Sequence, residues 1–169
     1  MSCQMLTFFC PGCRSGSRID SGVCPRCGLS LDEARGDYVE KLIGLSLRHP
    51  VPSIPPMAAA ILGRIGDRRA VEPLSRLLTE TADPALQEAA AEALGRLREA
   101  AAVPALIHCL RCGALRARLQ AARSLASLGG PDALAALREA ASADPAGVLR
   151  RVARELLEGM AACADEGAA

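Results

Sequence analysis

From residue 56 onward, apolar positions fall every three or four residues, in blocks separated by Gly, Pro and Asp. Val71, Leu74, Leu77 and Leu78 mark one stripe, and Leu86, Ala90, Ala93, Leu94 and Leu97 mark the next. This spacing follows the helical period of ~3.6 residues and not the strand period of ~2, so it predicts two helices joined by a turn. The pattern then returns. Leu62-Gly63 is followed at intervals of 31 or 32 residues by Leu94-Gly95, Leu125-Ala126 and Leu156-Leu157. Ala70-Val71-Glu72-Pro73-Leu74 likewise returns as Ala102-Val103-Pro104-Ala105-Leu106 and Ala133-Leu134-Ala135-Ala136-Leu137. One helix pair cannot bury its own apolar face. Successive pairs can do so by stacking, which makes the chain a solenoid whose stability is close to a sum over units and their interfaces.

The elements follow in order. Ser30 is placed to cap a helix over about 31–47, with Asp32 and Glu33 in its first turn and Tyr38, Leu42 and Leu45 facing inward. Pro50, Pro52, Pro55 and Pro56 end that helix, leaving either an irregular first turn or a binding loop. A second pair is predicted over about 69–80 and 84–98, opened by Asp83 and Pro84, and a third over about 101–111 and 114–128, turned at Gly113. The fourth begins at Pro131 after Gly129-Gly130, and its second helix follows Asp144-Pro145. Glu155 and Gly159 loosen the pattern in this last helix, as a solvent-facing terminal unit requires.

Leu-Gly-Arg-Ile-Gly-Asp at 62–67, followed by Arg-Arg-Ala-Val-Glu-Pro-Leu, resembles the HEAT-like repeat named for phycobilisome lyase subunits, over about residues 55–160. The fold class expected is all-α, a right-handed α-solenoid of about four HEAT-like helix pairs. Within the resemblance, Asp67 and Asp132 lie at or near the glycine ending a second helix, and Arg118 stands where such repeats often carry Arg. The resemblance implies a ladder in which these Asp residues accept from Arg of a neighbouring repeat. It does not fix function, because such repeats serve lyases, DNA-repair proteins, hydroxylases and adaptors.

Ahead of the repeats stand Cys10-Pro11-Gly12-Cys13 and, ten residues on, Cys24-Pro25-Arg26-Cys27-Gly28. Two C-x-x-C pairs on tight turns can bring four thiolates into a tetrahedron around one zinc ion at ~2.3 Å. The pairs resemble the knuckles of zinc ribbons, C-P-x-C-G, except that Arg14 replaces Gly in the first. Residues 14–23 suit a short hairpin between the knuckles. Four thiolates close the coordination sphere, so the zinc at Cys10, Cys13, Cys24 and Cys27 reads as structural, and in so short a module the ion supplies folding energy. The expected organisation is a zinc ribbon at 1–29, a solenoid at 30–162 and a disordered tail at 163–169. The ribbon either docks a partner, with Arg14, Arg18 and Arg26 on a basic side, or clips the first helix.

Half of the 169 residues are apolar but only 2% are aromatic, so the core must be built from Ala, Leu, Val and Ile. The net charge of +1 argues by itself for neither nucleic acid nor membrane. Of the 20 cationic residues only Lys41 is not Arg, which fits a G+C-rich genome or a selection for forked contacts to anions. No run of ~18 apolar residues suggests a membrane helix, and Met1–Phe9 does not read as a signal peptide, so a soluble, cytoplasmic protein is expected. In that setting the eight cysteines read as metal ligands and core residues. Cys109 overlays Leu77, a core position; Cys3 and Cys163 read as free thiols near the ends; His108 and Cys112 lack further ligands for a second metal.

No acidic residue lies between Glu99 and Asp132, whereas Arg111, Arg116, Arg118 and Arg123 do. Arg116 and Arg123, seven apart, share a helix face and, with Arg118 and Arg154, form either an anion-recognition strip or a solvated face balancing acidic neighbours. There are only two histidines, no His–Glu pairing of the kind found in di-iron HEAT-like hydroxylases, and no nucleophile-and-base constellation. The expected function is therefore non-catalytic: an adaptor binding another protein through its concave surface. The alternatives are nucleic-acid binding through the ribbon and the Arg strip, and a non-catalytic subunit of an enzyme complex.

Overall fold

A computed structural model of the chain describes residues 7–10, 13–18 and 22–166. Strands β1 (Thr7–Phe9) and β2 (Gly16–Arg18) pair antiparallel, with Phe8 opposite Ser17. Among the described residues eight helices follow: α1 (Leu31–Lys41), α2 (Ile54–Ile65), α3 (Val71–Glu80), α4 (Pro84–Leu97), α5 (Val103–Cys112), α6 (Leu115–Leu128), α7 (Pro131–Ala143) and α8 (Gly147–Glu166). They form four stacked pairs, and α8 continues past the boundary expected at residue 162. The tail expected at 163–169 lies outside the described residues from 167 onward. No helix among the described residues is long and apolar enough to cross a membrane.

Local chemistry sets the boundaries. Asp83 accepts from the amide of Ala85 at 2.9 Å and so caps α4, with Pro84 in the first turn, where a missing N–H is harmless. Pro55 and Pro56 occupy the first turn of α2 for the same reason, so the proline-rich run ends in a helix start. Gly66 (φ 77°, ψ 19°) supplies the left-handed residue that terminates α2, and Gly129 (φ 69°, ψ −160°) ends α6 in a positive-φ conformation that glycine adopts without strain. Ser30 takes the N-cap position of α1 but makes no side-chain capping bond; the amide of Leu31 instead donates to the Gly22 carbonyl at 2.9 Å.

The first helix departs from the sequence pattern. After Lys41 it widens into a π-helical turn over Leu42–Ser46. Such a turn shifts the facing by about one residue. Leu42 and Leu47 stay buried, while Leu45, expected inside, is 69% exposed.

Each helix from α2 to α8 contributes one leucine with 0% exposure: Leu62, Leu74, Leu94, Leu106, Leu125, Leu137 and Leu149. Burying each such side chain stabilises by ~1.5–3 kcal/mol. Alanines fill the space between them. The second helices approach most closely. A Cβ on Gly63 would lie 2.6 Å from the Ala93 Cα, and one on Gly95 would lie 2.3 Å from the Ser124 Oγ. Ser124 is buried, and its hydroxyl donates to the Ala91 carbonyl at 2.8 Å, so the polar atom at this crossing is satisfied. At the next crossing the register that aligns Arg118 with Arg150 places Ala126 and Leu156 in the equivalent positions, and α8 lies less closely on α6. Contacts among α3, α5 and α7 are sparser than those among α2, α4 and α6. Spacing that is tight on one side and wide on the other bends the stack towards α2, α4 and α6, which form its inner face.

The Asp ladder takes another form than the resemblance implied. Asp67 accepts from the Arg69 backbone amide (2.9 Å) and guanidinium (2.8 Å), within its own turn, and Arg69 reaches back to Glu40 at 2.9 Å. The Arg69 side chain holds the Asp67 carboxyl below its ordinary range. The stabilisation is complete above the unfolded value of ~3.9 and is lost as pH falls through the lower folded value. Asp132 has no ion-pair partner among the described residues.

Gly95→Ala should lower stability by ~1–3 kcal/mol through overpacking against Ser124. Gly159→Ala, on open helix surface with nothing within 4 Å, should raise it by up to ~1 kcal/mol. Thermal denaturation of both variants checks the pair; equal effects would contradict the assigned crossing.

Candidate metal centre

The two C-x-x-C segments fold alike. In the first, the Cys10 amide donates to the Ser15 carbonyl (3.0 Å) and the Arg14 amide to the Cys10 carbonyl (2.8 Å). In the second, the Cys24 amide donates to the Leu29 carbonyl (2.9 Å) and the Gly28 amide to the Cys24 carbonyl (3.0 Å). Both turns place the residue after the second cysteine in the left-handed region, Gly28 at φ 73° and Arg14 at φ 57°. The missing glycine of the first turn therefore leaves the geometry intact at a cost of ~1–2 kcal/mol for a side chain at positive φ. The hairpin also differs from the one expected: β1 precedes Cys10, so the first knuckle is itself the hairpin loop, and residues 19–21 lie outside the described residues.

The four sulfur atoms lie within 4.8 Å of one another, with Cys10–Cys27 and Cys13–Cys24 each at 3.6 Å. A tetrahedron with metal–sulfur bonds of ~2.3 Å has edges of ~3.8 Å, so the cluster is compatible with metal coordination. It is the one such grouping among the described residues. Ser15, which carries no sequence motif, places its Oγ 3.0 Å from the Cys13 sulfur and 3.5 Å from that of Cys24. This hydroxyl lowers the Cys13 thiol and, with the amides of Cys27 and Arg26, lowers Cys24 to about 5. The Leu29 amide favours the Cys27 thiolate, but Cys10, burial and the remaining two sulfurs prevail and push it to about 12. Crowding thus favours the thiolate at some of these sulfurs and opposes it at a neighbour.

The cluster sits on the helical stack through Leu31, the first residue of α1, which is 1% exposed and buried with Cys10 and Cys24. Val23 and Ser30 bridge beside it. His108 and Cys112 are exposed on α5, while Cys109 is buried in the core and its thiol is pushed up to about 11 by that burial. Cys3 lies outside the described residues, as does the side chain of Cys163.

The arginines expected to form one strip are directed separately. Arg116 pairs with Glu88 of the preceding unit at 3.1 Å. The Arg118 Nε donates to the Leu110 carbonyl at 2.8 Å and its Nη2 to Asp144 of the following unit, with side chains only 13% and 8% exposed. Arg154 donates to the Ala141 carbonyl at 3.3 Å. Arg123 borders an open depression between α4 and α6, and Arg118 lines a second one between α5 and α7. Arg118 belongs to a ladder built on one repeat position. Gln87 donates to the Thr81 carbonyl (2.8 Å) and accepts from the Ala114 amide of the next unit (3.0 Å), while Arg150 donates to the carbonyls of Asp144 and Pro145. Each clasps the turn preceding its own helix, and Gln87 and Arg118 also hold the turn of the unit that follows.

Arg118→Ala should cost ~3–5 kcal/mol, because it leaves the largely buried Asp144 carboxylate without its cation. Arg116→Ala, losing an exposed pair, should cost ~1 kcal/mol or less. Urea denaturation separates the two. Arg14→Gly should raise the stability of the cysteine module by ~1 kcal/mol, read from local hydrogen exchange.

A family model of HEAT repeats matches residues 39–114, and the PBS lyase HEAT-like repeat matches residues 117–143. No curated protein matches the chain. The matched spans run from within α1 to the end of α7, and the stacked helix pairs have a fold of the HEAT-repeat type.

Proposed function

We propose that the protein is a non-catalytic adaptor that binds another protein on the inner face formed by α2, α4 and α6, with a zinc-ribbon module at residues 1–29 holding the exposed end of α1. The observation that carries this reading is the close approach at Gly63–Ala93 and Gly95–Ser124, which joins three helices into one continuous, rigid surface. Rigid elements present side chains to a partner at low entropic cost. On that row Met57 is 62% exposed, and Ala60, Arg96 and Arg123 are exposed as well. The all-thiolate donor set and the ~3.6 Å sulfur edges favour zinc in a closed, structural role over a metal with an open position for substrate. Nucleic-acid binding is less favoured, because Arg111, Arg116 and Arg118 are matched by Glu139, Glu88 and Asp144. HEAT-type repeats occur in catalytic and non-catalytic proteins alike, so the test must distinguish an adaptor from an enzyme subunit.

Protein purified without chelator should carry about one zinc per chain, lost in Cys24→Ala; a content near zero would contradict the ribbon. For the interface, tagged full-length chain should retain a stoichiometric protein from native extract. Met57→Asp with Ala60→Asp on the inner face should abolish retention, while Thr79→Arg on the outer row should not. The opposite pattern, recovery of nucleic acid alone, or an activity recovered only with the retained protein would overturn the free-adaptor reading.

A further inference from the structure

Arg98 ends α4 at φ 55°, whereas the same repeat position holds Gly66 at φ 77° and Gly129 at φ 69° in the neighbouring units. Both neighbouring units use glycine, which adopts a positive φ freely, and the unit between them keeps a long cationic side chain in a strained backbone. Such an outlier points to a role for the side chain itself. Arg98 borders a depression of about 420 Å³ between α4 and α6, together with Arg96, Arg123, Gln120, Ser127 and Glu92. Glu92 is occupied by Arg96, at 2.6 Å. Arg98 and Arg123 have no ion-pair partner among the described residues, in contrast to Arg68, Arg76, Arg111, Arg116 and Arg118, each matched by an acidic residue. Two unmatched guanidinium groups therefore converge on one groove of the inner face, with an amide and a hydroxyl beside them.

We infer that this groove binds an acidic segment of the partner protein, with Arg98 and Arg123 each receiving a carboxylate. The inference rests on the adaptor reading and specifies the chemistry of its partner. A guanidinium offers two parallel N–H donors that match a carboxylate, and an extended peptide presents side chains on one face about 7 Å apart, a spacing suited to two separate receptors. Gln120 and Ser127 add hydrogen-bonding groups for the peptide backbone. A nucleic acid fits less well, because the groove has no aromatic side chain on which a base could stack.

The probe is a fluorescein-labelled decapeptide of alternating Glu and Gly, titrated with the full zinc-loaded chain and followed by anisotropy at low and moderate salt. Saturable binding that weakens with salt is expected. Arg98→Gly and Arg123→Gln should each lower the affinity about three- to tenfold. Arg98→Gly restores the residue of the adjacent units, so its melting temperature should not fall, and lost binding cannot be ascribed to unfolding. Arg138→Gln, an exposed arginine on α7, should leave the affinity unchanged. Absence of binding at low salt, indifference to Arg98→Gly and Arg123→Gln, an equal loss in Arg138→Gln, or tighter binding of an oligothymidylate of equal charge would each overturn the proposal. If the peptide fails while Met57→Asp with Ala60→Asp still abolishes retention of a protein, the groove proposal falls and the adaptor reading stands.

Discussion

Gly63 lying against Ala93, and Gly95 against Ser124, set the distance between successive units, and the rest of the architecture follows from that distance. Without a Cβ at these crossings, backbones approach closely enough for alanines to fill the core, with one fully buried leucine per helix from α2 to α8. A larger residue would separate the units and open cavities around those leucines, each worth several times thermal energy. The same contact bends the stack, since α3, α5 and α7 have no such close row. At the C-terminal crossing Ala126 and the bulkier Leu156 replace the small pair, and the repeat loosens where it needs to stop.

Charge is arranged on this frame by the same periodicity. Gln87, Arg118 and Arg150 occupy one repeat position and satisfy carbonyl groups that the ends of the first helices leave open. Arg118 with Asp144 is the most enclosed of these links, so its value lies less in Coulomb attraction than in the penalty for losing either partner. At the opposite end, the cysteine cluster does for α1 what a neighbouring repeat does for the other helices: it covers Leu31. A module of this length has too little apolar surface to hold itself, and thiolate coordination is the available substitute.

The helix pairs, their order and most of their core residues were legible in the sequence, because a period of 31 or 32 residues repeats the same constraint several times. The four metal-type cysteines were legible from spacing alone. Leu45 was misplaced because a π-helical turn changes the facing without changing the apolar pattern. The hairpin register was missed because it depends on residues before Cys10 that carry no turn signal. Ser15 and Asp144 act through contacts 9 and 26 residues away, and neither belongs to a motif. The arginines looked like one strip in the sequence because spacing along α6 reveals a shared face but not the acidic residues on adjoining units that consume their charge.

We propose that recognition takes place on the row formed by α2, α4 and α6. Hydrogen–deuterium exchange of the full chain, alone and in complex with the protein it retains, tests this most directly. Added protection is expected in α4 and α6, strongest across residues 92–98 and 119–127, with α3, α5 and α7 unchanged. Protection confined to the outer row, or to the cysteine module, would contradict it.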